Sequence, residues 1–274
     1  MGMCCLVFAW IGYRILDRQG LLIGFFSAMS LNALVFFYDD WHVANLFNYQ
    51  ELEGGDAWGL LRLSQEIAKR FGLKPAPSIR VLDLETPCAF SVGLFSLKSK
   101  IYVSEGLIKR LSHRELIGVL TFEMSHIQSH QTQAATAFAA TSGLLALVAN
   151  FLDTLIVATH WGHFSRLKKN GPFILLISPL LALMARLGLR RAQTFETDEL
   201  VAGAMHPGTE GREEWAHTLM KLDAYSKTLP LDVNLADSAL FVVNPLARFH
   251  RFDFASAQPS IPERIQKLTG RFPL

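Results

Sequence analysis

Charged side chains are scarce in this sequence: Asp, Glu, Lys and Arg make up 18% of its 274 residues, against about 25% in soluble domains. Half of the residues are hydrophobic, which excludes a disordered chain and favours contact with lipid. A strong excess of one charge is also lacking, since the net charge is +2, so we expect no nucleic-acid partner. Three cysteines are too few for a disulfide framework or a four-thiolate metal site.

The sequence contains several long apolar segments. Residues 20–38 contain no charge and have the length of a transmembrane helix. Residues 134–161 and 172–189 are nearly as apolar, and the short basic loop between them predicts a helical hairpin, with a pair of buried core helices as the alternative. Residues 1–13 are apolar but short for a full crossing. We therefore predict an integral, multi-pass membrane protein of about four spans, with the lipid bilayer as a partner.

Two polar stretches remain, and they are expected to carry the function. The predicted organisation is an N-terminal transmembrane region (1–40), the first half of a polar domain (41–133), the hairpin (134–189) and the second half of that domain (190–274). Because a hairpin returns the chain to the same side of the membrane, both halves can fold together. The charges flanking the spans do not decide which side this is.

Within the polar stretches, periodicity predicts mainly helices with a small sheet, an α+β fold. The apolar spacing of residues 57–71 is typical of an amphipathic helix. Ser112 and Glu115 have the spacing of a capping box, which predicts a long helix over 113–131. Further helices are predicted at 191–205, 213–227 and 261–268, and β-type runs at 78–84, 90–94 and 100–103.

The long predicted helix contains the sequence FEMSH, residues 122–126. A histidine in place of Phe122 would make it H-E-x-x-H, in which two histidines one helical turn apart bind zinc and the glutamate between them activates a water. One residue therefore separates this helix from a zinc-peptidase motif.

Several motifs in a fixed order extend this similarity over most of the chain. They are TPCAF (86–90), IYVSEGLIKRL (101–111), ELIGVLTFEMSHI (115–127), FETD (195–198) and QPSIPERIQKL (258–268). In order and spacing the chain resembles the HtpX-like membrane metalloproteases, relatives of the CAAX prenyl proteases. The resemblance implies a gluzincin-like metallopeptidase domain on a four-span helix bundle, cytoplasmic, with zinc held by two helix histidines and a downstream glutamate.

The sequence departs from this family pattern where the metal would bind. Phe122 stands at the position of the first histidine, and Thr194 stands at that of the downstream glutamate. By the resemblance, Glu123 corresponds to the general base and His126 to the second zinc ligand. Two further family positions are also changed, Gln131 for an acid and Gln258 for a histidine. A catalytic zinc needs three protein ligands, so we predict a pseudopeptidase that uses no cofactor.

Such a protein would bind a peptide or membrane-protein partner without cutting it. In active relatives an extended substrate pairs with a sheet edge. The candidates for that edge are the strand-like residues Ser91, Val92, Gly93 and Leu94, or the run 100–103. Phe122 would then fill the volume of the lost zinc–histidine unit, and Cys88 would be a small buried side chain.

Two alternatives remain open at this stage. In the first, the chain is an active zinc metalloendopeptidase with a shifted site, in which His126 and His130, on the helix face of Glu123, bind zinc with Glu196 or Asp198. The second, which has less support because no signalling segment is visible, is a membrane-anchored sensor or scaffold.

Overall fold

The computed structural model describes residues 10, 13–14, 17–27, 29–30, 47–52, 56, 58–93, 99–137, 153, 191–231, 240–243 and 259–271. The chain divides into two compact units, Met1–Leu46 and Phe47–Leu274. Among the described residues, no helix is both long and apolar enough to cross a bilayer. Most residues of the segments predicted to lie in the membrane are outside the described part of the chain. These segments are 1–13, 20–38, 134–161 and 172–189.

The second unit is mainly helical with one small mixed sheet, as the sequence predicts. Its strands are β1 (Tyr49–Glu51), β2 (Ser78–Leu82), β3 (Ala89–Val92) and β4 (Lys100–Ser104). Its helices are α1 (Leu60–Arg70), α2 (Glu105–Arg110), α3 (His113–Gln128), α4 (Arg191–Met205), α5 (Thr209–Thr228) and α6 (Ile261–Thr269). Two elements were not predicted: β1, which is only three residues long, and α2, which follows β4 without a loop.

The sheet has the strand order β1-β2-β4-β3, so β3 lies at one edge. β2 and β4 are parallel, and the other two pairs are antiparallel. Alternate residues such as Ile79, Val81 and Ile101 join the hydrophobic core with residues of α1 and α3. On the opposite face Phe90 stacks on Tyr102, with ring centroids 5.0 Å apart. The buried sheet and the α3 helix thus share one core.

The predicted capping box begins α3. The Ser112 hydroxyl accepts from the Glu115 N–H at 3.3 Å, and the Glu115 carboxylate accepts from the Ser112 N–H at 2.7 Å. The predicted end at residue 131 is wrong, because His130 takes a left-handed backbone (φ 60°), a conformation that does not continue a right-handed helix. The chain turns there and becomes helical again over 131–137.

The three helices that follow α3 form one packed group with it. α3 contacts α4 and α5, α4 contacts α5 and α6, and α5 contacts α6. The α4 bounds agree with the sequence prediction, whereas α5 begins four residues earlier than predicted. The buried middle of α3 therefore lies among three helices that follow it far along the chain.

Candidate functional site

The candidate centre lies in the buried middle of α3. Phe122 and Glu123 have no exposed surface, and His126 follows one turn later on the same helix. Most residues of this helix are buried, because the sheet contacts it on one side and α4 and α5 on others. A side chain at position 122 or 123 therefore has protein around it rather than water.

Phe122 is surrounded by aromatic rings and one cation. Its ring centroid lies 4.2 Å from that of His126 and 5.9 Å from that of Trp215 on α5. The Cζ atom of Arg264, on α6, lies 5.0 Å from the Phe122 centroid, which is within the range of a cation–π contact. Hydrocarbon and a guanidinium therefore fill the space next to the retained histidine.

Arg264 is held by a buried hydrogen-bond network that joins three helices. Its Nε and Nη2 donate to the two carboxylate oxygens of Asp198 on α4, at 2.8 and 2.6 Å. The indole N–H of Trp215 donates to the same carboxylate at 2.9 Å. The third guanidinium nitrogen, Nη1, donates to the carbonyl oxygen of Val242 at 2.8 Å. Both charges are thus paired and hydrogen-bonded, the condition under which buried charges are tolerated.

Glu123 has no comparable partner. Within the described part of the chain, neither of its buried carboxylate oxygens has a hydrogen-bond partner. Burial raises the pKa of the Glu123 carboxyl to about 8, while the hydroxyl and N–H of Ser91 on β3, too poorly aligned for hydrogen bonds of normal geometry, lower it. The carboxyl group is therefore largely protonated at neutral pH.

His126 stays neutral. Its Nε2 is buried and, among the described residues, has no hydrogen-bond partner, although other atoms of the residue are accessible. Burial, and then the positive charge of Arg264, lower the pKa of the His126 imidazole to about 3. The charge of Arg264 also disfavours a metal cation next to His126, because two positive charges repel each other.

The structure does not bring the alternative metal ligands together. His130 is exposed, and its Nδ1 contacts Oε1 of Gln133 at 2.6 Å. Glu196 is also exposed, and Asp198 is occupied by Arg264 and Trp215. Across the residues the structure describes, no group of three or more His, Cys, Asp or Glu side chains could hold a metal ion.

The donor set at the family position does not fit zinc. Phe122 offers no lone pair, and Thr194, buried on α4, offers a neutral hydroxyl in place of a carboxylate. Only the His126 imidazole remains of the three ligands that the family resemblance implies, next to a guanidinium. Two further residues singled out above are also accounted for: Gln131 is buried, and Gln258 lies outside the described residues.

The candidate peptide-binding strand is at the sheet edge, but it is buried. Ser91, Val92 and Gly93 are all inaccessible, and Leu94 lies outside the described residues. The Ser91 and Thr132 hydroxyls lie 2.8 Å apart, and the Gly93 N–H donates to the Thr136 hydroxyl at 3.1 Å. The helical run 131–137 therefore covers this part of the edge.

Arg264 and Trp215 belong to the site but were not predicted from the sequence. Nothing in the sequence around Trp215 distinguishes it from an ordinary core tryptophan. Arg264 does carry a signal: it lies on the buried face of an amphipathic helix with Ile265 and Leu268, where a charge needs a partner. Cys88 is buried, and burial raises the pKa of its thiol to about 12, so it is unreactive.

Comparison with known proteins places these observations in a family context. The model described as Peptidase family M48 matches residues 59–272. A protein named Protease HtpX homolog from Pelotomaculum thermopropionicum is 29% identical over 95% of this chain and 92% of its own length. Another of that name, from Campylobacter concisus, is 30% identical over 88% of this chain and 83% of its own length. The resemblance predicted from the motifs is confirmed.

One solved structure is also similar in part. The crystal structure of S. mikatae Ste24p aligns with a TM-score of 0.48 and 14% sequence identity. The alignment covers 98% of this chain, which spans 63% of the length of that protein.

Proposed function

The Peptidase family M48 model matches most of the chain, so the protein belongs to that family. From this premise we propose that it is a membrane pseudopeptidase. It keeps the scaffold of a metallopeptidase, holds no catalytic zinc and binds a peptide or membrane-protein partner without hydrolysing it. In this proposal the chain is an integral, multi-pass protein with its polar domain in the cytoplasm.

The observation that carries this proposal is the environment of Phe122. Its ring contacts the retained histidine on one side and the Arg264 guanidinium on another. A metal ion there would lack its first nitrogen ligand, and it would also meet a positive charge already present. Because Arg264 is fixed by both oxygens of Asp198, moving it away would leave a buried carboxylate unpaired, which is costly.

The state of Glu123 supports the same proposal. A general base must be ionised and within reach of a water whose proton it accepts. The Glu123 carboxyl is buried, with its pKa raised to about 8, so it is mostly neutral at pH 7. Without a metal-bound water, this carboxyl group has no activated nucleophile from which to accept a proton.

Proteolysis by the full-length protein tests the proposal. We expect the detergent-solubilised protein, supplied with zinc, to leave unfolded casein and a misfolded membrane protein uncleaved. The Glu123→Gln variant, prepared in parallel, measures contaminating protease, and both preparations should give the same background. Cleavage that exceeds this background and is lost on adding a chelator would contradict the proposal and would support an active site of shifted composition.

A further inference from the structure

Three strands have their ends together at one end of the sheet. The register places Ser78, where β2 begins, beside Lys100, where β4 begins. It also places Lys100 beside Val92, where β3 ends. The segment 71–77, which connects α1 to β2, therefore enters the sheet at this end.

The chain that follows α3 runs towards the same end of the sheet. The Thr132 hydroxyl lies 2.8 Å from that of Ser91. Four residues later, the Thr136 hydroxyl accepts from the N–H of Gly93, just after β3, at 3.1 Å. Residues 134–161 form the apolar segment that is predicted to enter the membrane. The chain therefore continues into the predicted hairpin from this end of the sheet.

The connection between α1 and β2 is basic. Residues 67–79 contain Lys69, Arg70 and Lys74 and no acidic residue, and all three cationic residues are exposed. The acidic residue closest to them on α1, Glu66, is already paired with another arginine at 3.2 Å. Within the part of the chain that the structure describes, none of the three cations forms an ion pair. Their charges are therefore available to an anionic partner.

The end of α1 does not depend on these cations for its hydrogen bonds. The carbonyl oxygens of residues 67–69 accept from the backbone N–H groups of residues 71–73. The carbonyl oxygen of Phe71 accepts from the side-chain amide of Gln128, the last residue of α3, at 3.0 Å. The helix dipole favours cations in the last turn of α1, but Lys74 lies beyond that turn. The contact with Gln128 holds this basic connection beside the end of α3.

We propose that Lys69, Arg70 and Lys74 form a headgroup-binding surface, which holds the phosphate groups of anionic lipids at the membrane from which the domain projects. The proposal rests on the membrane placement that is part of the proposed function. The surface lies at the end of the domain where the chain continues into the predicted hairpin, so no rearrangement is needed to bring it to the headgroups. Each lysine or arginine near an anionic membrane surface increases affinity about fivefold.

Acetylation of lysines tests this proposal in the wild-type protein. Full-length protein is placed in nanodiscs of phosphatidylcholine alone or with about 30% phosphatidylglycerol, treated briefly with an acetylating reagent and analysed by mass spectrometry. We expect Lys69 and Lys74 to react at least about threefold more slowly in the anionic discs, because an amine bound to phosphate is less accessible. Lys109 and Lys227 are internal controls, since both are more than half exposed in ion pairs, and should react equally in both discs.

A variant of the third cation provides a second measurement. Arg70→Gln keeps both reporter lysines, and we expect acetylation of Lys69 and Lys74 in anionic discs to become at least about twofold faster, because the surface loses one of its charges. The matched control is Arg212→Gln, which removes an exposed arginine paired with Glu199 on α4 and should leave both rates unchanged. Salt at about 0.5 M screens exposed charges and should remove the difference between the two lipids.

Equal acetylation of Lys69 and Lys74 in the two kinds of disc would overturn the headgroup proposal and leave the pseudopeptidase proposal intact. Equal slowing of the reporter and control lysines would also overturn it, because lipid charge would then act on the reagent alone. A protein that does not enter nanodiscs would contradict the membrane placement instead. In that case the wild type must still sediment with anionic vesicles, and failure to sediment overturns the headgroup proposal as well.

Discussion

Phe122 and Glu123 are neighbours on α3, but only Phe122 has surroundings that match the chemistry of its side chain. Phe122 packs against His126, Trp215 and Arg264. Glu123 is equally buried, and within the described residues no hydrogen bond of normal geometry reaches its carboxylate oxygens, although Ser91 lies close enough to lower its pKa. A buried polar group without a partner costs stability, so packing alone does not explain a carboxyl group at this position.

Replacing Glu123 by glutamine should remove a pH-dependent cost. The folded-state pKa of about 8 lies above the ordinary value of 4.5. The contribution of Glu123 to stability is therefore fully present below pH 4.5 and is lost as pH rises towards 8, because the unfolded chain releases a proton that the folded chain retains. Relative to the wild type, Glu123→Gln should gain on the order of 3 kcal/mol between pH 4.5 and pH 7.

Thermal or denaturant unfolding of both proteins in detergent from pH 5 to pH 8 measures this gain. If the difference in unfolding free energy between the two proteins stays constant over that range, Glu123 is ionised or hydrogen-bonded in the folded protein, and the prediction is wrong.

The chemistry of single site residues can be predicted from the sequence. Phe122 and Thr194 carry side chains that are not zinc ligands of the expected type, and this can be judged one residue at a time. The pairing of Arg264 with Asp198 joins positions 66 residues apart, and no local pattern specifies such a contact. The left-handed backbone of His130 was not predicted either, since a positive φ is uncommon for any residue other than glycine.

At the scale of elements, Asp198 connects α4 to α5 through Trp215 and to α6 through Arg264. These links also reach segment 240–243, because Arg264 donates to Val242. One buried carboxylate thus links three helices and, through Arg264, residues 240–243.

The Asp198→Asn variant should therefore be strongly destabilised. It leaves the fully buried Arg264 guanidinium without its counter-charge, a change that typically costs about 3–5 kcal/mol. Its neighbour on α4, Glu199, provides the matched control, since it forms an ion pair with Arg212 at 3.0 Å in which both side chains are more than 40% exposed. Glu199→Gln should change stability by less than about 1 kcal/mol.

Unfolding free energies of the two variants and the wild type decide between these expectations. A similar loss for Asp198→Asn and Glu199→Gln would mean that the buried network does not hold the helices together.

At the scale of the whole molecule, the site is assembled from both polar stretches of the sequence. α3 lies before the predicted membrane hairpin, while α4, α5 and α6 follow it, and all four belong to the unit Phe47–Leu274. The capping box and the amphipathic patterns predicted the type of most of these helices, because those signals are local. How the helices meet depends on long-range packing, which the sequence of one chain does not display.

Zinc content tests the central claim, loss of the metal site, most directly. The full-length protein is purified in detergent, equilibrated with zinc, desalted and measured by elemental mass spectrometry, beside a Phe122→His, Thr194→Glu double variant. We predict far less than one zinc per chain in the wild type, and a marked gain towards one in the double variant, because three ligands are then restored. One zinc per chain in the wild type, lost on His130→Ala, would contradict the account.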